Sequence, residues 1–593
     1  MRSVNELTRY IEVATVAMFT EEETKKDFKE DVEGKERIDN PSKKKAKTNS
    51  LLRELLLPNV LDREDEIRET YLANQPYSYG QIKDLFVPDF LTSVKEEIKG
   101  KAKVNFKESD LFRVYQSIDM ANLHPGSEFA NQLPHVMKLR EILYSQEWRS
   151  FVERLTGLPP STLTTQIDCA CNCHAPGCHL LCHDDVIGTR KISYIIYLTE
   201  SDWKPDEGGS LELYGPQKDS DKHGSPLPVA RVWPTFNSMA FFVVQPGLSF
   251  HAVQEVLGDR PRLSLQGWYH AKEPPKNIEL ATLQQLKARG DYETIQVSKL
   301  VSEFEDEEEG KIVLSVEDKK YLSKYLQEEY LTEDSMNEIQ KKFESDSSVQ
   351  LRHFLKAKWV PKMEPQKVSS AYDDAYYKFG ISAEWQLRGP AHKQRFLDYQ
   401  TDTSSAKDSQ GVGSLMHHVK TKLFESEQIA RYLKRVTSLG KPIGIRNSQI
   451  RRFRPGLDYT VAHYGLLLEK PVLDATMCFV YDEDDDKDAW ESGDVGGFEC
   501  YIEADDEEEQ EAGPADEYNE DDDTALLSVS ASNNTLSLVY RDPGTMRFVK
   551  YVGSSAPSSR YDICMEYEVN DDEEDDEEEQ TEGASFEETA LEE

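Results

Sequence analysis

The sequence reads as a mainly β protein with bracing helices, built from two β-domains in tandem, the second a degenerate copy of the first. Three observations carry that reading. From about residue 165 to 270, short β-branched and aromatic runs alternate with turn material, the pattern of a sandwich or barrel. The landmarks of that region recur in the same order in the second half, which marks a duplication. Apolar residues at helical spacing precede each strand-rich region.

In chain order, residues 1–50 are polar, charged and aperiodic, and are expected to form a mobile extension. Residues 51–275 are the first domain. It opens helically, with Phe86, Phe90, Leu91 and Val94 on one face. The strands Lys191–Leu198, Ser238–Val244 and Arg262–His270 follow, separated by Gly208-Gly209, Pro226 with Pro228, and Pro246-Gly247. Residues 276–365 are expected to be a helical, acidic linker, with Leu322, Tyr325, Leu326 and Tyr330 in helical register. Residues 366–569 are the second domain, strand-rich from about 440, and residues 570–593 an acidic disordered tail.

The repeat is visible in two pairs of segments. Asn237 to Gly247 lines up with Asn534 to Gly544, and Trp203 to Tyr214 with Trp490 to Tyr501. Each half therefore has a Trp, a Gly-Gly turn, an aromatic strand and a Pro-Gly turn in that order.

Length and charge bound the possibilities. A chain of 593 residues exceeds what one core usually serves, and 38% apolar residues suffice for two cores while leaving part of the chain outside them. The net charge of −41 sits largely in runs: Glu303–Glu309, Asp482–Asp488, Asp505–Glu509, Glu517–Asp523 and Asn570–Glu579. Such runs are either solvated, self-repelling segments or attractors of a basic partner such as a ribosomal or chromatin protein. Their sign disfavours direct nucleic-acid binding, because phosphates are repelled. Eight cysteines do not make a disulfide scaffold, which points to a reducing compartment. The chain has no apolar run of membrane-spanning length. Nucleus and/or cytoplasm is the expected location, with Lys43, Lys44, Lys45 and Lys47 read either as a nuclear address or as part of a polar tail.

The chemistry concentrates in three segments. In His183-Asp184-Asp185, residues two apart on a strand point the same way, so His183 and Asp185 can face one metal ion while Asp184 faces away. His251, just after Pro246-Gly247, supplies a second imidazole. Two histidines and one carboxylate form the facial set that holds iron(II) and leaves coordination positions open. Arg262, with Ser264 on the same strand face, can grip the far carboxylate of a dicarboxylate with its two-pronged guanidinium. Each piece alone is commonly structural; the ordered set with strands between is the specific signal. Cys169, Cys171, Cys173, Cys178 and Cys182, beside His174 and His179, leave two readings: a soft-metal or redox site, or small strand residues with three on one face.

With those residues in view, the chain resembles the ribosomal-protein prolyl 3-hydroxylases, a branch of the double-stranded β-helix (jelly-roll) oxygenases that use iron(II) and 2-oxoglutarate. The matching stretches are Pro76–Gly80, Asp110–Ser117 with Asp119–Leu123, Cys178–Gly188, Arg262–Tyr269 and Ile450–Gly456. The resemblance implies two jelly rolls in tandem, the second degenerate. It implies iron ligands at His183, Asp185 and His251, and a 2-oxoglutarate pocket built on Arg262 and Tyr197, with Ser264 as a further member. The family carries a tyrosine nine residues before the first iron histidine; here His174 stands there. The implied cosubstrates are 2-oxoglutarate and O2, with ascorbate as reductant. The implied substrate is a prolyl residue in the decoding-centre protein of the small ribosomal subunit, hydroxylated at carbon 3, with an effect on translation accuracy and termination. Basic ribosomal protein and translation-termination or mRNA-associated proteins are the expected partners, and a monomer the expected state.

Aligning the Pro-Gly turns places Phe548 opposite His251 and Arg560 near Arg262, with Ala462-His463-Tyr464-Gly465 in place of the His-x-Asp. The second domain is then non-catalytic, a recognition or bracing surface. Its basic run, Arg446, Arg451, Arg452 and Arg454, is open to two readings: contact with RNA or acidic protein, or a salt-bridged loop. A competing reading of the whole chain is an oxygen-sensing interaction protein that binds the same cofactors but acts through partner binding. A scaffold inert in both halves is disfavoured by the intact first-half set.

Overall fold

The computed structural model describes residues 51–215, 225–288, 298–299, 314–366, 374–401, 411–439, 441–481, 487–504 and 525–570. The lysine run at 43–47 lies outside the described residues, as do the acidic runs apart from Lys487, Asp488 and Asn570.

Period-two burial builds the first roll. In the strand Arg190–Tyr197, Ile192, Tyr194 and Ile196 turn toward a helical layer and join Leu139, Trp148 and Phe151. Ile195 and Tyr197 turn the other way, into the roll, with Leu211, Leu213 and Phe242. The helices Pro88–Lys101, Pro134–Leu143 and Gln146–Thr156 form that layer, burying Phe90, Leu91 and Val94 from the first of them. Phe86 is buried ahead of the helix, which starts at Pro88, a residue suited to a first helical turn. All strand pairs are antiparallel, and the sheet runs through the strands of Tyr79, Ser238, Arg190, Arg262, Ile167, Phe112, His179, His251, Leu211 and Ala230. It therefore begins well before residue 165: Tyr79–Lys83 forms an edge, and Phe112–Ser117 joins the Ile167 and His179 strands.

The second unit repeats this plan. Residues 314–366, expected as part of a linker, instead supply the helices Val316–Leu322 and Glu333–Asp346 and the edge strand Ser348–Leu351. Their Leu322, Leu326, Met336 and Phe343 enter the second core. The charge on the outer faces of these helices hid an apolar stripe that packs on the sheet. Strands Trp385–Arg388 and Gln394–Tyr399 likewise precede residue 440.

Two devices recur in both copies. Asn237 (φ 57) and Asn534 (φ 49) hold left-handed backbones. The Asn237 side chain accepts from Phe86 N at 2.9 Å and donates to Phe86 O at 2.7 Å; Asn534 does the same with Leu355 at 3.0 and 2.9 Å. The Gly-Gly turns are steric necessities. A Cβ on Gly208 would lie 2.2 Å from the Glu255 carbonyl oxygen, and one on Gly496 would lie 1.9 Å from that of Tyr551.

Strand register corrects one sequence alignment. With the Gly-Gly turns superposed, which shifts the Trp203–Tyr214 match by one residue, Leu213 and Tyr501 are counterparts; Leu213 pairs with His251 and Tyr501 with Arg547. The Gly208–Val256 and Gly496–Val552 bridges keep the same register. Arg547, not Phe548, therefore occupies the His251 position. The segment after Pro543-Gly544 is one residue shorter than its counterpart, and a one-residue slip turns a side chain to the other face.

The halves pack through equivalent edges. Glu255 accepts from Tyr551 Oη at 3.2 Å, from Ser554 N at 2.8 Å and from Ser554 Oγ at 2.8 Å, and Tyr551 is the counterpart of Glu255 in the repeat. Leu181 clusters with Tyr459, Val461 and Tyr551. Cys182, Tyr214, Phe250 and Ala252 cluster with Ala391, and the His392 ring stacks on Phe250 at 4.8 Å. The backs of the His183 and His251 strands are thus sealed by the second unit, so it forms part of the first roll's core as well as an outer surface.

Asp110 lies in this seam, accepting from Ala462 N at 3.2 Å. Burial pushes its carboxyl up to about 6, against the opposing pull of that N–H and of Lys550. A carboxyl raised above its unfolded value favours the folded state while protonated, and that contribution is lost as pH rises from about 4 through about 6. Asp110→Asn should flatten the fall of the thermal midpoint across that window. A variant with the parent's pH profile would rule out Asp110 as its source.

Candidate metal and cosubstrate site

The strand His179–His183 ends on His183, which pairs directly with His251. Their rings lie 4.3 Å apart. His183 Nε2 stands 3.1 Å from Asp185 Oδ1, and His251 Nε2 stands 3.3 Å from Asp185 Oδ2. The ligand atoms of these three residues all lie within 4.8 Å of one another, and His174 is not part of the set. Each imidazole is oriented the same way: Nδ1 of His183 bonds Leu181 O at 2.8 Å, and Nδ1 of His251 bonds Ser249 O at 2.9 Å. With Nδ1–H so engaged, both Nε2 atoms face Asp185, where each can hold a proton against the carboxylate or give it up and offer a lone pair to a metal. Three electron-pair donors converge on one point, an arrangement that a metal cation satisfies.

Asp185 does not reach the site by strand alternation, as its spacing suggested. The strand has ended, and Asp185 has φ 63, a left-handed backbone rare for a residue with a side chain. Burial would raise its carboxyl, but His251 and His183 outweigh that and hold it well below the usual range. Burial likewise opposes protonation of His183, and Asp185 reverses the balance and raises it.

Arg262 is wholly buried. Its Nη1 lies 3.3 Å from Ser264 Oγ and 3.4 Å from His174 Nδ1. Among the described residues, its Nε and Nη2, and the Tyr197 hydroxyl beside it, have no hydrogen-bond partner. The guanidinium stands 5.1 Å from the centre of the Tyr197 ring. Burial and the Arg262 charge hold His174 well below its usual pKa, so it is neutral, accepts at Nδ1 and keeps Nε2–H as a donor. A buried guanidinium without a carboxylate costs several kcal/mol. The pocket is therefore shaped for an outside carboxylate, with Tyr197, Ser264 and His174 as further polar partners. Gly209 is what lets the Arg262 stem pass, since a Cβ there would lie 2.7 Å from Arg262 Cδ.

The second copy supplies its own carboxylate. Arg560 holds the Arg262 position, and Asp562 stands where the first copy has Ser264. Asp562 pairs with Arg560 at 2.6 Å and with Arg451 at 2.8 Å. Arg547, at the His251 position, pairs with Glu499 at 2.6 Å and Asp474 at 3.0 Å. His463 stands at the His183 position, but Gly465 offers no carboxylate. The interior that holds a metal set in one copy is filled by a closed charge network in the other. The basic run is salt-bridged in part, and on the strand Lys441–Phe453 and its end rather than a loop: Arg451 is buried in that network, Arg454 pairs with Asp458 at 2.7 Å and Arg446 reaches Glu568 at 4.0 Å, while Arg452 packs on Phe379 and Tyr561.

The cysteines follow the strand reading. Cys169 and Cys171 join the core, and burial pushes the Cys173 thiol up to about 12 and Cys178 up to about 11. They are protonated and poor metal ligands. The sequence marks Asp184 only as facing away and Gly209 only as turn material, and gives Arg547 no role, because their importance lies in long-range register.

Arg262→Ala should weaken 2-oxoglutarate binding by about tenfold to a hundredfold while metal binding persists, the loss expected for a charge-assisted pair. Arg262→Lys should recover only part, since an ammonium lacks the fork. Calorimetry with each variant checks this; unchanged affinity in Arg262→Ala would remove Arg262 as the anchor.

Residues 169–270 match the family described as 2OG-Fe(II) oxygenase superfamily. Residues 317–576 match the one described as Oxoglutarate and iron-dependent oxygenase degradation C-term. The chain is 38% identical over 516 residues to Prolyl 3,4-dihydroxylase OGFOD1 of Ostreococcus tauri, covering 83% of this chain and 95% of that one. It is 27% identical over 554 residues to Prolyl 3-hydroxylase OGFOD1 of Xenopus laevis, covering 86% and 90% respectively. To Prolyl 3-hydroxylase sudestada1 of Drosophila melanogaster it is 26% identical over 481 residues, covering 78% and 77%. On this similarity, which runs through both halves, the chain belongs to the OGFOD1 family of iron(II)- and 2-oxoglutarate-dependent prolyl hydroxylases.

Proposed function

We propose that the protein hydroxylates carbon 3 of a prolyl residue in the decoding-centre protein of the small ribosomal subunit. The observation that carries the pocket's part is the buried Arg262 guanidinium, two of whose nitrogens have no partner among the described residues, in the same sheet as three convergent metal-ligand atoms. In this reading His183, Asp185 and His251 hold iron(II). Arg262 grips the far carboxylate of 2-oxoglutarate, with Ser264, Tyr197 and His174 donating or accepting around it. The bound iron, 2-oxoglutarate and O2 supply the oxidising power to replace an unactivated C–H by C–OH, with ascorbate as reductant. The protein's residues orient the ligands, and the closed roll keeps water from them.

The ribosomal substrate is supported by the resemblance set out from the sequence and by charge: a chain of net charge −41 suits a basic partner. Nucleus and/or cytoplasm, where ribosomal proteins are made and assembled, is the matching location. The second roll, whose charges are internally paired, serves as a brace and recognition surface. A dihydroxylating activity is the second reading, because the relative at 38% identity is a prolyl 3,4-dihydroxylase. Partner gating without hydroxylation is not favoured for a chain of this family.

Mass spectrometry of small-subunit ribosomal proteins from cells with and without this protein tests the proposal. One prolyl residue should lose one oxygen, or two under the second reading, when the protein is removed or carries His251→Ala. Ribosomal proteins identical in both samples would sink the substrate assignment.

A further inference from the structure

We propose that Asp184 is a positioning residue that sets the geometry of the metal centre; this rests on the reading of His183, Asp185 and His251 as its ligands. Asp184 points away from the other carboxylate and is only 1% exposed. Its carboxylate accepts three backbone N–H groups: Oδ1 from Val186 at 3.3 Å, and Oδ2 from Gly247 at 3.0 Å and Thr282 at 3.1 Å. Its own carbonyl accepts from Ser249 Oγ at 3.0 Å.

Each bond reaches a different part of the centre. The Val186 bond closes a turn across Asp185, the residue held at φ 63, and so stabilises the backbone that aims the ligand carboxylate. The Gly247 and Ser249 bonds tie this turn to the segment leading into His251. The Thr282 bond ties both to the helix Thr282–Lys287. The ladder between the two ligand strands is short: His251 pairs with His183 and, beyond an irregularity, Val253 with Leu180. On the other side of that pair, Asp184 is what joins the Asp185 turn to the approach of His251. An acceptor-only carboxylate suits the task, because every group facing it is a donor.

The repeat provides a comparison within one chain. Register puts Tyr464 at the Asp184 position and Gly465 at that of Asp185. Tyr464 packs with Leu467 and Met546 and offers no carboxylate to the turn at Gly544. The copy that keeps the three ligands keeps the brace, and the copy that lost two of them lost it as well.

The test uses the full-length protein and cobalt(II), a redox-stable stand-in for iron(II), with affinity read by calorimetry and geometry by the ligand-field absorption spectrum. Asp184→Asn keeps the size and one acceptor but turns an NH2 toward at least one of the facing N–H groups, Val186 on one side or Gly247 and Thr282 on the other. It should raise the cobalt Kd by about tenfold to a hundredfold, the range for losing a group that orients metal ligands, and change the spectrum. Ser249→Ala removes the hydroxyl link to Asp184 O together with the hydroxyl's contacts to Gln245, keeps the Asp184 carboxylate, and should raise the Kd by a smaller factor; it decides the matter if Asp184→Asn does not fold. His183→Ala in the same titration separates the two levels. If His183→Ala binds cobalt like the parent, the ligand reading fails. If His183→Ala abolishes binding while Asp184→Asn and Ser249→Ala keep the parent's affinity and spectrum, the positioning role is overturned. A lowered metal-free thermal midpoint with an unchanged spectrum would also overturn it, since that marks a structural role alone.

Discussion

A guanidinium buried without a carboxylate is the constraint around which the first roll is organised. Arg262 is fully enclosed, and two of its nitrogens have no partner among the described residues. Folding alone does not recover that cost, so the site is completed by a ligand of defined charge. The surroundings conform to it. Gly209 clears space for the stem, His174 stays neutral and accepts, and Ser264 and Tyr197 offer hydroxyls. The metal set belongs to the same sheet, with His183 and His251 on adjacent strands.

The second roll shows how such a constraint is relieved. Ser264 has become Asp562, and His251 has become Arg547. Asp474, Glu499 and Asp562 then pair with Arg541, Arg547, Arg451 and Arg560. Breaking one member of such a buried network is costly because its partner is left charged and alone. The second copy thus has an interior tied by internal ion pairs, and it lends its surface to the copy that carries the metal-ligand set. His392 on Phe250 and the Tyr551–Glu255 contact are where that support is delivered.

Much of this was legible in the sequence because it depends on local pattern. Strands such as Arg190–Tyr197 announce themselves as short β-branched and aromatic runs between turns, the duplication by its Gly-Gly and Pro-Gly landmarks, and the metal set by its residue types and order. What stayed hidden depends on register and long-range pairing. Spacing treated Asp185 as a strand residue, whereas a left-handed turn delivers it. Turn alignment chose Phe548 over Arg547, because a single missing residue is invisible until strand pairing is known. The residue 314–366 helices read as a linker because their charged outer faces dominate the composition. The Arg446 to Arg454 run read as a possible docking surface because its carboxylate partners, Asp562 above all, lie far along the chain.

The seam between the halves has a history written in it. Glu255 meets Tyr551, the residue that holds its own place in the other copy, which is what a two-fold axis does to residues lying on it. Two separate identical rolls meeting on this face would form a closed pair, each backing the other's ligand strands. Joining them into one chain makes the pairing independent of concentration and frees one partner from selection for catalysis. Within one chain the two rolls thus stand as the two members of such a pair, the ion-paired one serving as the keel of the other.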